Sequence, residues 1–120
     1  MKIRRETDFA FFTKKNRMKP PYYAVIFTSK RKQYTDEYEA TAERMVELTK
    51  QQPGFLGIDS SRNAEGLGIT VCYWDSIEAI KSWKANNEHQ YAQRMGKESW
   101  YETYSVRIAT VNEEYSMEAL

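Results

Sequence analysis

Two strand-like runs, Phe55–Arg62 and Leu67–Trp74, are separated by only Asn63-Ala64-Glu65-Gly66. A link this short, with a glycine for positive φ, predicts an antiparallel hairpin. Each run is flanked on its outer side by a helical pattern. Before the hairpin, Tyr38, Ala42, Met45, Val46 and Thr49 recur on one helical face. Thr35 or Asp36 serves as N-cap, with Glu39 at capping-box spacing from Asp36, and Pro53-Gly54 ends the helix. After the hairpin, Asp75 stands where the strand pattern stops, and Glu78 follows three residues later, again at capping-box spacing. A helix is expected from about Ser76 to Ala85, with Ile77, Ile80 and Trp83 on its buried stripe.

Outside this αββα centre stand two more strands. Tyr22–Ser29 is dense in aromatic and β-branched residues. Trp100–Val111 places Tyr104, Val106 and Ile108 on one face and Thr103, Ser105, Arg107 and Ala109 on the other. Asn86-Asn87 interrupts the second helix, because Asn favours caps over helix interiors. A further short helix is expected with Asn87 as its cap, Tyr91, Ala92 and Met95 inward, and Gly96 at its end. The order βαββαβ is that of an α+β, ferredoxin-like fold: a four-stranded antiparallel sheet with helices on one face. The bare opposite face calls for a partner, most simply a second copy about a two-fold axis.

The boundaries read as an N-terminal arm over 1–21, the domain over 22–115 and a tail over 116–120. In the arm, Phe9, Phe11 and Phe12 are expected to dock on the body or on a partner. The basic run Lys14–Lys19 closes on Pro20-Pro21.

Bulk properties exclude several classes. The 120 residues make one domain. The formal net charge of +1 argues against an obligatory nucleic-acid partner. No apolar run is long enough to span a membrane. The apolar stretch near the N-terminus is too short for a signal peptide, so the expected location is cytoplasmic. Cys72 is the sole cysteine and reads as a small buried hydrophobe. One His and one Cys cannot supply the usual zinc sets, and neither GxGxxG nor a phosphate loop is present. Seventeen aromatic residues, nine Tyr, five Phe and three Trp, exceed what a small core needs, so some should line a pocket or a subunit interface.

Gln52-Pro53-Gly54-Phe55-Leu56-Gly57 entering the second strand resembles the antibiotic-biosynthesis-monooxygenase family. So do Tyr73-Trp74-Asp75-Ser76-Ile77-Glu78-Ala79 and Trp83 nine residues after Trp74, then Asn87–Gln93 followed by Trp100-Tyr101. The resemblance covers about Tyr22 to Tyr115. It implies a homodimeric α+β barrel and a superfamily that includes cofactor-free quinol oxygenases, haem-degrading oxygenases, small isomerases and proteins without known activity. Haem-degrading relatives carry an Asn on strand one, a Trp on helix two and a His ligand ten residues later. Trp83 matches, but Gln93 stands at the ligand position and Tyr22–Ser29 holds no Asn, which argues against haem.

The function that this resemblance implies is a cofactor-independent monooxygenase of an aromatic or quinol-type small molecule. Such chemistry needs a base, donors for a developing oxyanion and an aromatic box. His89 is the candidate base, the one side chain poised near neutrality. Asn86 is a candidate oxyanion donor or a cap. Trp83 is a candidate ring-stacking or N–H-donating residue, or core. Tyr73, Tyr101 and Tyr104 are candidate substrate-binding residues. Arg107, mid-strand, suits a substrate carboxylate or a dimer-interface ion pair. A ligand-binding or stress-associated barrel domain without catalysis stands as the alternative.

Overall fold

The computed structural model describes residues 2–4, 9–14 and 18–117, the first two stretches as backbone. The elements are β1 (Lys2–Arg4), β2 (Phe9–Lys14), β3 (Tyr22–Arg31), α1 (Asp36–Lys50), β4 (Phe55–Arg62), β5 (Leu67–Trp74), α2 (Ile77–Lys84), α3 (Asn87–Met95), a π-helical turn (Gly96–Trp100) and β6 (Tyr101–Val111). The sheet runs β1-β2-β4-β5-β3-β6, every neighbouring pair antiparallel. Its last four members form the ferredoxin-like α+β sheet, with the hairpin strands bounded as the turn chemistry predicts.

The segment read as an arm extends this sheet. β2 pairs with β4 from Phe9↔Arg62 to Lys14↔Gly57, and β1 pairs with β2. The Phe9, Phe11 and Phe12 side chains lie outside the described residues, so their expected docking does too.

Register places Val25, Cys72 and Ile58 in one row across the sheet, with Tyr23 and Trp74 in the next on the same face. Against this face pack Leu48 of α1 and Ile80 and Trp83 of α2. Trp74 is wholly buried and Phe55 meets it edge-on at 5.9 Å. The helices therefore cover one face because their apolar stripes and this row are the large buried surfaces available to each other. Leu48, one position from the expected stripe, is part of the core.

Two of the three helix caps differ by one residue from the sequence expectation. Thr35 Oγ1 accepts from the Tyr38 N–H at 3.0 Å, one of the two alternatives. At α2 the cap is Ser76, accepting from the Ala79 N–H at 3.1 Å, and not Asp75. At α3 it is Asn86, accepting from the His89 N–H at 3.1 Å, and not Asn87. In both cases a second residue with capping chemistry stands adjacent, and the path of the chain selects between them. α3 has no buried residue, and Tyr91, expected inward, is exposed. Trp100 closes the π-helical turn instead of opening the last strand. No helix among the described residues is long and apolar enough to cross a membrane.

Candidate active site

The α2–α3 junction brings Trp83, Asn86 and His89 together. Asn86 caps α3 through its side-chain oxygen, and that bond fixes the backbone of His89. One turn of helix then lays the imidazole on the indole. The rings stack with centroids 4.2 Å apart and planes 13° apart. The His89 Nδ1 lies 3.0 Å from the Trp83 carbonyl oxygen. A carbonyl only accepts, so Nδ1 carries the proton and the lone pair of the neutral ring sits on Nε2. Burial lowers the pKa of His89 below its usual 6.5, against a smaller upward pull from the Trp83 carbonyl. The ring is thus half-buried, oriented and neutral at physiological pH, which is the state a general base requires.

The three tyrosines singled out from the sequence divide between two places. Tyr73 lies on the sheet face opposite the helices, where its hydroxyl donates to Asp59 Oδ2 at 2.8 Å and its ring meets Tyr22 edge-on. It is not gathered with Trp83 and His89. Tyr101 and Tyr104 stand on β6, each against Phe27 of β3, with centroids 5.4 and 5.7 Å away. Tyr101 lies 3.4 Å, hydroxyl to hydroxyl, from Tyr38 of α1. Burial, then the neighbouring Tyr38, raises the pKa of Tyr101, so its hydroxyl stays protonated and able to donate. Arg107 is exposed and donates to Ser105 Oγ at 2.9 Å.

Around Tyr38 lies a group that the sequence analysis did not single out. Arg31, Arg62 and Trp100 are buried beside it. Trp100 packs edge-on to Tyr38 at 5.6 Å. The signal was available as a period of two: Val25, Phe27, Ser29 and Arg31 share one face of β3, and Ile58, Ser60 and Arg62 share the same face of β4. Between α1 and α3 runs an open groove of about 410 Å³ lined by Ala40, Thr41, Met45 and Tyr91. A bidentate Arg44–Glu88 pair at 2.9 Å bridges it.

Among the described residues no three His, Cys, Asp or Glu side chains come together to hold a metal. For haem, the side chain at position 93 is an amide on exposed helix, which does not fit an axial ligand. No step is routed through haem below.

Residues 21–95 match the antibiotic biosynthesis monooxygenase family. Over 93 residues the chain is 55% identical to the uncharacterized protein YqjZ of Bacillus subtilis (strain 168), a span of 78% of this chain and 82% of that one. Among solved structures, SnoaB, a cofactor-independent oxygenase from Streptomyces nogalater, superposes with a TM-score of 0.68 at 14% identity, over 78% of this chain and 96% of SnoaB. Rv0793 from Mycobacterium tuberculosis superposes with a TM-score of 0.65 at 16% identity, over 79% and 99%. Structural likeness at such identities speaks for the fold, whereas the family match spans more than half of the chain. The chain belongs to the antibiotic biosynthesis monooxygenase family.

Proposed function

We propose that this protein is a small monooxygenase, without a cofactor of its own, acting on an electron-rich aromatic or quinol-type molecule. The observation that carries this is the Trp83–His89 pair: an imidazole stacked at 4.2 Å, with Nδ1 tied to a backbone carbonyl and Nε2 left as the basic atom. Family membership supports oxygenase chemistry, and the description of SnoaB as a cofactor-independent oxygenase supports the cofactor-free form.

In this reading His89 Nε2 removes the phenolic proton. The phenolate passes one electron to dioxygen, and the radical pair joins to form a carbon–oxygen bond. The resulting hydroperoxide loses water, so one oxygen atom stays as a ring carbonyl and the other leaves in water. The phenol supplies both hydrogens of that water and all the electrons, so no external reductant is required. Trp83 holds the imidazole plane, and Asn86 is a positioning residue through the α3 cap. The homodimer belongs to the same proposal. β6 is the outer strand of the sheet, and its Val106 and Ile108 are 51% and 55% exposed. Leu67 and Ile69 are likewise exposed. A second copy is the simplest cover for these residues.

The test is oxygen uptake with a panel of quinols. Wild type is expected to turn over at least one of them. His89→Ala is expected to lose about 10²–10⁴-fold in rate, the usual worth of a positioned base, while keeping its affinity for the same molecule. Binding without oxygen uptake by wild type would establish the non-catalytic domain instead. Light scattering at micromolar concentration is expected to give the mass of a dimer, and a monomer refutes that part.

A further inference from the structure

Arg31 and Arg62 lie on the helix-covered face of the sheet, 5% and 7% exposed. Among the described residues no acidic side chain forms an ion pair with either; the pairs present are Arg44–Glu88 and Lys50–Glu47. Removing a guanidinium from water without a counter-charge is costly, so such a group needs an explanation.

Among the described residues, Arg62 is solvated by neutral groups alone. Its Nη1 donates to the Gly66 carbonyl at 2.5 Å and more weakly to the Ser29 carbonyl at 3.4 Å, and its Nη2 donates to Ser29 Oγ. Glycine at position 68 makes room for it, since a Cβ there would lie 2.6 Å from the Arg62 Cζ. Arg31 has less. Its Nε is buried without a hydrogen-bond partner, and the group rests against the rings of Tyr34 and Tyr38 at 5.5 and 5.3 Å. Tyr38 also carries Arg62 on its ring at 5.9 Å, and Tyr101 carries Arg62 at 5.5 Å. Two cations therefore share one tyrosine in a low-dielectric setting. An anion between them would relieve their mutual repulsion.

We propose that Arg31 and Arg62, with the hydroxyls of Tyr38 and Tyr101, form a recognition site for the carboxylate of a small aromatic acid. A carboxylate matches the planar donor fork of arginine and accepts from the two hydroxyls. The aromatic part follows from the neighbouring wall. Phe27 touches both Tyr101 and Tyr104, and Tyr104 is 41% exposed, so a ring can reach it from outside. The site is separate from the Trp83–His89 pair. Tyr38 and Leu48, which packs with Trp83, are about 15 Å apart along α1 at 1.5 Å per residue. The inference does not rest on the oxygenase reading.

The experiment titrates benzoate, benzamide and inorganic phosphate into the full chain and follows amide NMR shifts. Benzoate is expected to saturate with a Kd of about 1 mM or tighter, and its neutral isostere benzamide is not. Arg31→Gln is expected to weaken benzoate about tenfold or more, and Arg31→Lys less, because charge survives while the fork is lost. Should Arg31→Gln fail to fold, Tyr101→Phe reads the same site, with an expected loss of about threefold. Equal binding of benzoate and benzamide, saturation by phosphate in place of benzoate, or no saturable benzoate binding to wild type each overturns the proposal. So does an Arg31→Gln variant that becomes monomeric while wild type ignores benzoate, since the arginines would then serve a subunit contact.

Discussion

The imidazole of His89 lies flat on the indole of Trp83, 4.2 Å between centroids, and is tied by Nδ1 to the carbonyl of the residue it stacks on. Stacking on an indole favours a cation, yet burial lowers the His89 pKa, so desolvation outweighs the π face here. The unfolded chain binds this proton more readily than the native one does. Stability contributed by neutral His89 is therefore full above pH 6.5 and is lost as pH falls through 6.5 toward the lower folded value. Urea midpoints measured from pH 8 down to pH 5 (about three units) should fall in wild type, and the fall should be smaller in His89→Gln. An identical pH dependence in both would show that His89 is not the group concerned.

The same direction governs the rate. Turnover of a quinol should be flat at neutral pH and decline on acidification, with a midpoint below that of a free histidine. A profile rising only above neutrality would identify direct ionisation of the substrate, not His89, as the controlling step.

Ser76 and Asp75 offer a direct comparison of two adjacent capping residues. Ser76→Ala removes the acceptor of the Ala79 N–H and should cost about 1 kcal/mol in chemical denaturation. Asp75→Ala, at an exposed position, should cost less than about 0.5 kcal/mol. The reverse order would return the cap to Asp75.

Gly54 ends the α1–β4 connection with φ at +86°, and a Cβ there would lie 2.6 Å from both Ala79 Cβ and Asp75 Oδ1. Gly54→Ala combines a left-handed alanine, about 1–2 kcal/mol, with overpacking of about 1–3 kcal/mol. A loss of about 2–5 kcal/mol at the denaturation midpoint is expected. A change below about 0.5 kcal/mol would mean that the α2 start moves freely away from this turn.

Cys72 packs against the core, and burial, with a smaller contribution from Asp59, pushes its thiol up to about 12. Alkylation at pH 8 should be slow in the folded protein and fast once urea unfolds it, because only the thiolate attacks. Rapid labelling of the native chain would contradict this burial.

Hairpin and helix patterns were legible because they are local. Asn63–Gly66 is a turn by its own chemistry, and β4 and β5 have the bounds their alternation implies. The caps at Ser76 and Asn86 were not, because Asp75-Ser76 and Asn86-Asn87 each offer two acceptors one residue apart. β1 and β2 were illegible for another reason. A short run such as Phe9–Phe12 between charges has no strand signal of its own, and its pairing with β4 is an edge that only the assembled sheet provides. Tyr73 illustrates the cost of a one-residue step in a strand: adjacent to Trp74 in sequence, it stands on the other face.

The sequence by itself determined the order of strands and helices from Tyr22 onward, the buried stripes through Trp74, Ile80 and Trp83, and the single imidazole available for proton transfer. These depend on periodicity and composition within a few residues. Only the tertiary structure decided that His89 stacks on Trp83, that Tyr73 and Tyr101 belong to different faces, and that Arg31 and Arg62 meet over Tyr38. Each of those joins residues through a helix junction or across strands. There, the register and the burial of neighbours, not local propensity, set which side chains share a space.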